Sequence, residues 1–154
     1  MAYTDAPEVE EFANVLIDNL CEFEHLRDKP IAYQFTDKKM MMNGQPLAGK
    51  AMKAPSPWKG DGLADFKIVI YGPTWNAYNT EERQALIHHE LMHLDYTEVT
   101  KKGETFQVPS IRPHDVQEFT KTRQRFGDYR YDLRVFFESP RESVRDVLCM
   151  EEEA

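Results

Sequence analysis

The motif H-E-L-M-H at residues 89–93 constrains this chain more than any other feature of its sequence. On a helix, residues four apart lie one turn apart on the same face, so His89 and His93 can direct their ring nitrogens to one point. The same helix carries a separate apolar stripe, formed by Ile87, Leu91 and Leu94. The motif therefore predicts a helix that buries one face in a core and presents two metal ligands on another.

The residues before the motif predict where this helix begins. Asn79-Thr80-Glu81-Glu82 has the pattern of a capping box, with Asn79 or Thr80 as the cap, and the helix is expected to run to about Asp95. Glu90 follows the first histidine directly, so its carboxylate can reach a water on a bound ion without binding the ion itself. The pattern indicates a catalytic metal site with Glu90 as the general base.

Two histidines do not complete such a site, because a catalytic zinc ion usually has three protein ligands and one open position. His114 is the best third candidate, since it follows a predicted hairpin and lies in the first turn of a helix expected from Pro113 to Phe126. Glu118 is the rival, one turn later on the same face, either as a ligand or as a partner that orients His114. Asp115 and Asp95 are weaker candidates for the orienting role. The donor that stabilises an oxyanion is left open among Tyr96, Tyr129, Tyr131, Arg130 and Arg134.

The rest of the chain predicts a mixed α+β domain. Periodic apolar residues indicate a helix over 6–24, and alternation or β-branched runs indicate strands at Ile31–Phe35 and Phe66–Tyr71. Further expectations are a turn at Asn43-Gly44 before an extended segment over 47–54, a loop over 55–62, a hairpin over 97–108 and a C-terminal helix over 140–150. Together they predict one domain over 1–154, with a small sheet of about three strands packed on the motif helix and flanked by other helices.

Charge and composition exclude several classes of function. The 154 residues include 27 acidic and 19 basic side chains, which gives a formal charge of −8 and counts against nucleic acid or an anionic membrane as the main partner. No apolar run is long enough to span a membrane, and the N-terminus lacks the basic start of a secretory signal. Cys21 and Cys149 lie far apart, so we predict no disulfide framework. The expected location is the cytoplasm.

The chain resembles the putative phage metallopeptidase family, and more distantly the SprT-like zinc proteases. The segments that carry the resemblance are Ile31–Phe35, Leu47–Lys50, Phe66–Tyr71, Thr80–His93 and His114–Phe119, within residues 8–127. Residues 128–154 match nothing in either family and are expected to form an extension. The resemblance implies a zincin-like fold, one zinc ion bound by His89, His93 and His114, and Glu90 as the general base.

The sequence favours a zinc-dependent metallopeptidase that hydrolyses peptide bonds with a metal-activated water. By the resemblance it is encoded by a phage or prophage and acts in the bacterial host cell. The alternative is an interaction protein, for example a phage factor that binds a host protein, in which zinc only joins two helices. The presence of Glu90 favours the enzyme, because a structural zinc site needs no base and is usually closed by four protein ligands. A third hypothesis, a protease of DNA–protein crosslinks, is disfavoured by the acidic charge. The oligomeric state is left open.

Overall fold

The computed structural model describes residues 3–54 and 64–142. These residues form a mixed α and β structure with the following elements: β1 (Tyr3–Asp5), α1 (Pro7–Asn19), a 3-10 helix (Cys21–Leu26), β2 (Ile31–Thr36), β3 (Met40–Met42), β4 (Gln45–Leu47), β5 (Gly49–Lys53), β6 (Phe66–Tyr71), α2 (Gly72–Ala77), α3 (Thr80–Met92), β7 (Leu94–Lys101), β8 (Glu104–Ile111), α4 (Thr120–Phe126) and α5 (Tyr131–Glu138). The expected α+β class is confirmed.

The main sheet has four strands in the order β1-β2-β6-β5. Strand β2 runs parallel to β6, and β1 and β5 are antiparallel to their neighbours. The expectation of about three strands is wrong because β1, at three residues, is too short to show an alternation in the sequence. The order leaves β5 at one edge of the sheet, and this edge borders the site described below.

Two hairpins stand apart from the main sheet. Strands β3 and β4 are joined through Asn43 and Gly44, whose positive φ values of 53° and 78° confirm the predicted turn. Strands β7 and β8 pair over their full length, from Leu94 opposite Ile111 to Lys101 opposite Glu104. The predicted hairpin is therefore confirmed, but it begins directly after α3 and is longer than expected. Its register brings the chain after β8 back to the end of α3.

The core lies between the main sheet and helices α1 and α3. The core face of the sheet carries Tyr33 from β2 and Phe66, Ile68 and Ile70 from β6, and α3 contributes Ile87 and Leu91. All of these side chains are buried. Burial of this apolar area is the main force that holds α3 against the sheet.

Helix α4 corrects the expectation of a helix over 113–126. It begins at Thr120, and residues 112–119 are irregular. The physical reason lies in the hydrogen bonds before it: Arg112 donates its N–H to the carbonyl of His93 at 2.7 Å, so the pairing of β7 with β8 continues for one residue beyond Ile111 and opposes a helix that starts at Pro113. Gly127, with a φ of 71°, ends the helix as predicted. His114 therefore does not lie on a helix, and Glu118 does not share a helical face with it.

Other boundaries differ by small amounts. The helix expected over 6–24 ends at Asn19, where Leu20 is extended, and continues as the 3-10 helix. Helices α2 and α5 were not predicted. Residues 139–142 precede or begin the expected C-terminal helix and are not helical. The rest of that expected helix and the expected 55–62 loop lie outside the described residues. Cys21 is disulfide-bonded, which contradicts the expectation of no disulfide framework. No helix in the described ranges has the length and apolar character needed to cross a membrane.

Candidate metal centre

Helix α3 positions the two motif histidines. Its N-terminus is fixed by the predicted capping box: Glu82 donates its N–H to Asn79 Oδ1 at 2.8 Å, and Asn79 donates its N–H to Glu82 Oε1 at 2.9 Å. Asn79, not Thr80, is the cap. The helix ends at Met92, so His89 lies in its last turn and His93 is the C-cap residue. The histidines of the motif are thus presented at the end of a helix whose opposite face is buried.

Three imidazoles meet at this end of α3. Each of His89, His93 and His114 offers a ring nitrogen within 4.8 Å of those of the other two, and the Nε2 atoms of His89 and His114 lie 3.1 Å apart. His93 is half-buried, and the other two are exposed. These three residues can hold a metal ion, as the sequence suggested.

The ring of His93 is fixed by the backbone of the following hairpin. Its Nδ1 lies 2.7 Å from the carbonyl oxygen of Arg112, and a carbonyl can only accept, so Nδ1 carries the proton. This leaves Nε2 as the nitrogen that can bind an ion. A hydrogen bond of this kind sets both the tautomer and the orientation of a ligating histidine.

Glu90 faces inward, on the sheet side of the same helix. Its side chain is only 4% exposed, and burial raises its pKa to about 7. A Cβ atom at Gly49 would come within 3.1 Å of Glu90 Oε2 and 2.9 Å of Ile70 Cδ1. The carboxylate therefore fills space that only a glycine on β5 leaves open.

Electrostatics at His89 disfavour its protonation. Burial is the larger cause that lowers the pKa of His89, and the neighbouring imidazoles of His93, His114 and His88 lower it further. A neutral imidazole is the form that binds a metal ion.

A groove of about 570 Å³ connects these groups. It is lined by the three histidines and Glu90, by the edge strand β5, and by Ala85 and Leu86 of α3. The β3–β4 hairpin and its exit add an apolar wall of Met42, Pro46 and Leu47. The site is therefore open to solvent on one side and lined largely by apolar side chains.

Glu118, the rival third ligand, is not brought to the histidines. Its Oε2 accepts hydrogen bonds from the Tyr129 hydroxyl at 2.5 Å and from Arg130 at 3.2 Å, and its Oε1 accepts the N–H of Phe119. These bonds, first of all that from Tyr129, hold the pKa of Glu118 below its usual range. Asp115 borders a second cavity beside His89 and His114 but has no ligand atom within the group of three.

The candidates for an oxyanion donor are engaged elsewhere. Tyr96 donates to Asp65, Tyr129 to Glu118, and Arg134 to the carbonyl of Asp128. Arg130 pairs with Glu118 and Asp132. None of them, nor Tyr131, borders the groove. Tyr78 does border it, and sequence reasoning gave no weight to this side chain.

Sequence reasoning also missed two residues that shape the site through their backbones. Gly49 makes room for Glu90, and Arg112 fixes His93 through its carbonyl group. The segment Leu47–Lys50 carried part of the family resemblance, but nothing in the sequence showed that it lies against Glu90. For Arg112, the only available signal in the sequence was its position two residues before His114.

Comparison with known proteins supports the same interpretation. A search of curated proteins and a search of solved structures returned no match. A family model, the putative phage metallopeptidase, matches residues 1–141, which extends beyond the expected span of 8–127. With the match covering most of its length, this chain belongs to the putative phage metallopeptidase family.

Proposed function

We propose that this protein is a zinc-dependent peptidase of zincin-like arrangement, with His89, His93 and His114 as the ligands and Glu90 as the general base. The observation that carries the proposal is the convergence of three imidazoles in one groove that a buried carboxylate also lines. The family assignment, which implies a hydrolase that needs a metal ion, supports it.

The donor set fits zinc. Nitrogen ligands that each lie 2.0–2.1 Å from one tetrahedral ion are about 3.3 Å from one another. The 3.1 Å between the Nε2 atoms of His89 and His114 is close to that spacing. Three neutral imidazoles are also ligands of the type that zinc accepts readily.

The number of ligands favours a catalytic over a structural site. Among the described residues, no fourth histidine, cysteine or carboxylate joins the group of three. Structural zinc sites are usually closed by four protein ligands, whereas catalytic sites keep one position for water or substrate. The open groove beside the histidines gives a substrate access to that position.

The proposed reaction is the hydrolysis of a peptide bond. A bound zinc ion would lower the pKa of a water molecule and polarise the scissile carbonyl. Glu90 accepts a proton from the attacking water as the new carbon–oxygen bond forms, and then delivers it to the amine nitrogen as the carbon–nitrogen bond breaks. Packing against β5 holds the Glu90 carboxylate in one place for both transfers. The oxyanion donor is not assigned.

The edge strand β5 offers a way to bind a peptide. Within the described sheet β5 pairs only with β6, so its outer edge has backbone groups free to pair with an extended chain. This edge and the histidines border the same groove. Strand addition at this edge would place a peptide backbone next to Glu90. We further propose that the protein is encoded by a phage or prophage and acts in the cytoplasm of the host cell.

The first experiment measures metal content by plasma mass spectrometry, on protein purified without a histidine tag or chelator. We expect about one zinc per chain in the wild type and a large loss in the His89→Ala variant, because one of three ligands is removed. A wild-type protein that stays free of metal after zinc is added would end the proposal.

The second experiment measures hydrolysis of fluorescently labelled casein. Glu90→Gln is expected to keep its zinc and lose activity by roughly 10²–10⁴-fold, the usual contribution of a general base. Glu81→Gln, on the exposed side of the same helix, makes the same change of charge and should leave activity unchanged. Zinc binding without hydrolysis in the wild type would favour the alternative, an interaction protein stabilised by zinc.

A further inference from the structure

Arg112 lies at the junction between the two parts of the proposed metal site. It follows the last residue of β8 and precedes Pro113 and His114. The two other histidines lie on and directly after α3. Any contact that joins Arg112 to the end of α3 therefore sets the distance between these two histidines and the third.

Three hydrogen bonds make this contact. The Arg112 N–H donates to the His93 carbonyl at 2.7 Å, His93 Nδ1 donates to the Arg112 carbonyl at 2.7 Å, and Arg112 Nε donates to the Met92 carbonyl at 2.9 Å. The first two join the backbone of Arg112 to both the backbone and the ring of His93. The third joins the Arg112 side chain to the Met92 carbonyl. This carbonyl lies in the last turn of α3 and therefore has no partner within the helix.

We infer that Arg112 is a positioning residue, whose side chain fixes His114 and the ring of His93 relative to His89. This inference rests on the proposed function for the identity of the metal site. The side chain is needed because residues 112–119 are irregular and none of them is fully buried, so packing alone does not place His114. With the guanidinium bound to Met92, the Arg112 peptide group is held where it can accept the proton of His93 Nδ1.

A purely structural role is the competing explanation. An arginine that binds the last carbonyls of a helix stabilises the helix by its charge and its hydrogen bond, wherever the helix lies. Arg27 does this for α1: its Nε donates to the Ile17 carbonyl at 2.9 Å, and its Nη2 donates to the Leu20 carbonyl at 3.3 Å. Arg27 is therefore a matched control, with the same side chain and the same helix-end contact but no connection to a histidine of the group.

The experiment compares the zinc Kd of four proteins, the wild type, Arg112→Ala, Arg112→Lys and Arg27→Ala, by competition with a chromophoric chelator. Arg112→Ala should raise the Kd by about 10–100-fold, which is typical when a group that orients a ligand is lost. Arg112→Lys keeps a positive donor near the Met92 carbonyl and should recover most of the affinity. Arg27→Ala should match the wild type. A Kd for Arg112→Ala within about twofold of the wild type, or an equal loss in Arg27→Ala, would overturn the inference.

A measurement without metal separates this inference from the proposed function. In metal-free protein with ¹⁵N-labelled histidine, NMR should show His93 fixed as the Nδ1–H tautomer in the wild type and in Arg27→Ala, and exchanging between tautomers in Arg112→Ala. If the wild type binds no zinc, the proposed function fails and this comparison still decides the role of Arg112. An unchanged His93 tautomer in Arg112→Ala refutes the positioning role even where zinc binds.

Discussion

The two halves of the proposed site are held by different forces. His89 and Glu90 lie on α3 and His93 caps its end, and the Ile87 and Leu91 side chains of α3 are completely buried in the core. His114 belongs to the segment that leads into α4 and α5, where Leu133 is the one buried residue of the two helices. The first half is fixed by helical geometry and apolar packing, and the second by hydrogen bonds at the end of a hairpin.

This difference shows how a site of three ligands can be assembled from unequal parts. The four-residue spacing alone places the backbone positions of His89 and His93 one turn apart on the same face, and the Arg112 carbonyl then orients the His93 ring. The third imidazole depends on the register of β7 and β8, which returns the chain to His93. Variants that affect one half and not the other can test this division.

The largest expected difference is in the stability of two variants, one with a substitution on α3 and one with a substitution on α4. Leu91 is completely buried, so Leu91→Ala should lower the free energy of unfolding by about 2–5 kcal/mol through lost apolar burial and a cavity. Phe126 is 73% exposed, and Phe126→Ala should change the free energy of unfolding by less than about 0.5 kcal/mol. Urea denaturation followed by circular dichroism measures both. An equal loss in the two variants would show that α4 is packed in solution.

The next difference concerns the third ligand. If a zinc-binding free energy of roughly 10–16 kcal/mol is shared among three ligands, one imidazole contributes about 3–5 kcal/mol, so His114→Ala should raise the zinc Kd by roughly 100-fold or more. Glu118→Ala should change it by less than about threefold, because the Glu118 carboxylate is bound to Tyr129 and Arg130. Competition with a chelator measures both constants. The reverse ranking would make Glu118 the ligand and contradict the geometry.

A smaller effect is expected where β5 meets Glu90. Gly49→Ala would place a Cβ 2.9 Å from the buried Ile70 Cδ1, and overpacking of this kind costs about 1–3 kcal/mol. Gly72→Ala is the control, because its nearest neighbour, the Thr36 carbonyl oxygen, would lie at an ordinary contact distance of 3.6 Å. Urea denaturation gives the stabilities, and casein hydrolysis shows whether Glu90 has moved. Equal stability of the two variants would mean that β5 adjusts without strain.

The sequence predicted the features that depend on local spacing. Strand β6 has the predicted bounds, the Asn43-Gly44 turn is present, and α3 has a capping box at its start. The pair of histidines on one face follows from the same local rule. Such features need only short-range geometry, and a single sequence contains that information.

Local sequence patterns predict less where contacts between distant residues determine the structure. The predicted helix from Pro113 satisfied the local rules, but residues 112–119 are irregular, and the Arg112 N–H is bound to the distant His93 carbonyl. The structure still brings His114 to the two motif histidines, although the helix on which it was expected to lie begins only at Thr120. Gly49 was missed for the same reason, since only the folded sheet brings it to Glu90.

The smallest expected effect concerns the cap that the sequence left open between Asn79 and Thr80. Asn79→Ala removes the side chain that accepts the Glu82 N–H, and loss of an N-cap costs about 1 kcal/mol in the free energy of unfolding. Thr80→Ala should change it by only a few tenths of a kcal/mol, because Thr80 is the first helical residue and alanine has the higher helix propensity. Zinc affinity should stay constant in both variants, since the cap lies at the opposite end of α3 from His89 and His93. A loss of affinity in Asn79→Ala would show that the histidine end of α3 depends on its N-terminus, against the division drawn between the two halves of the site.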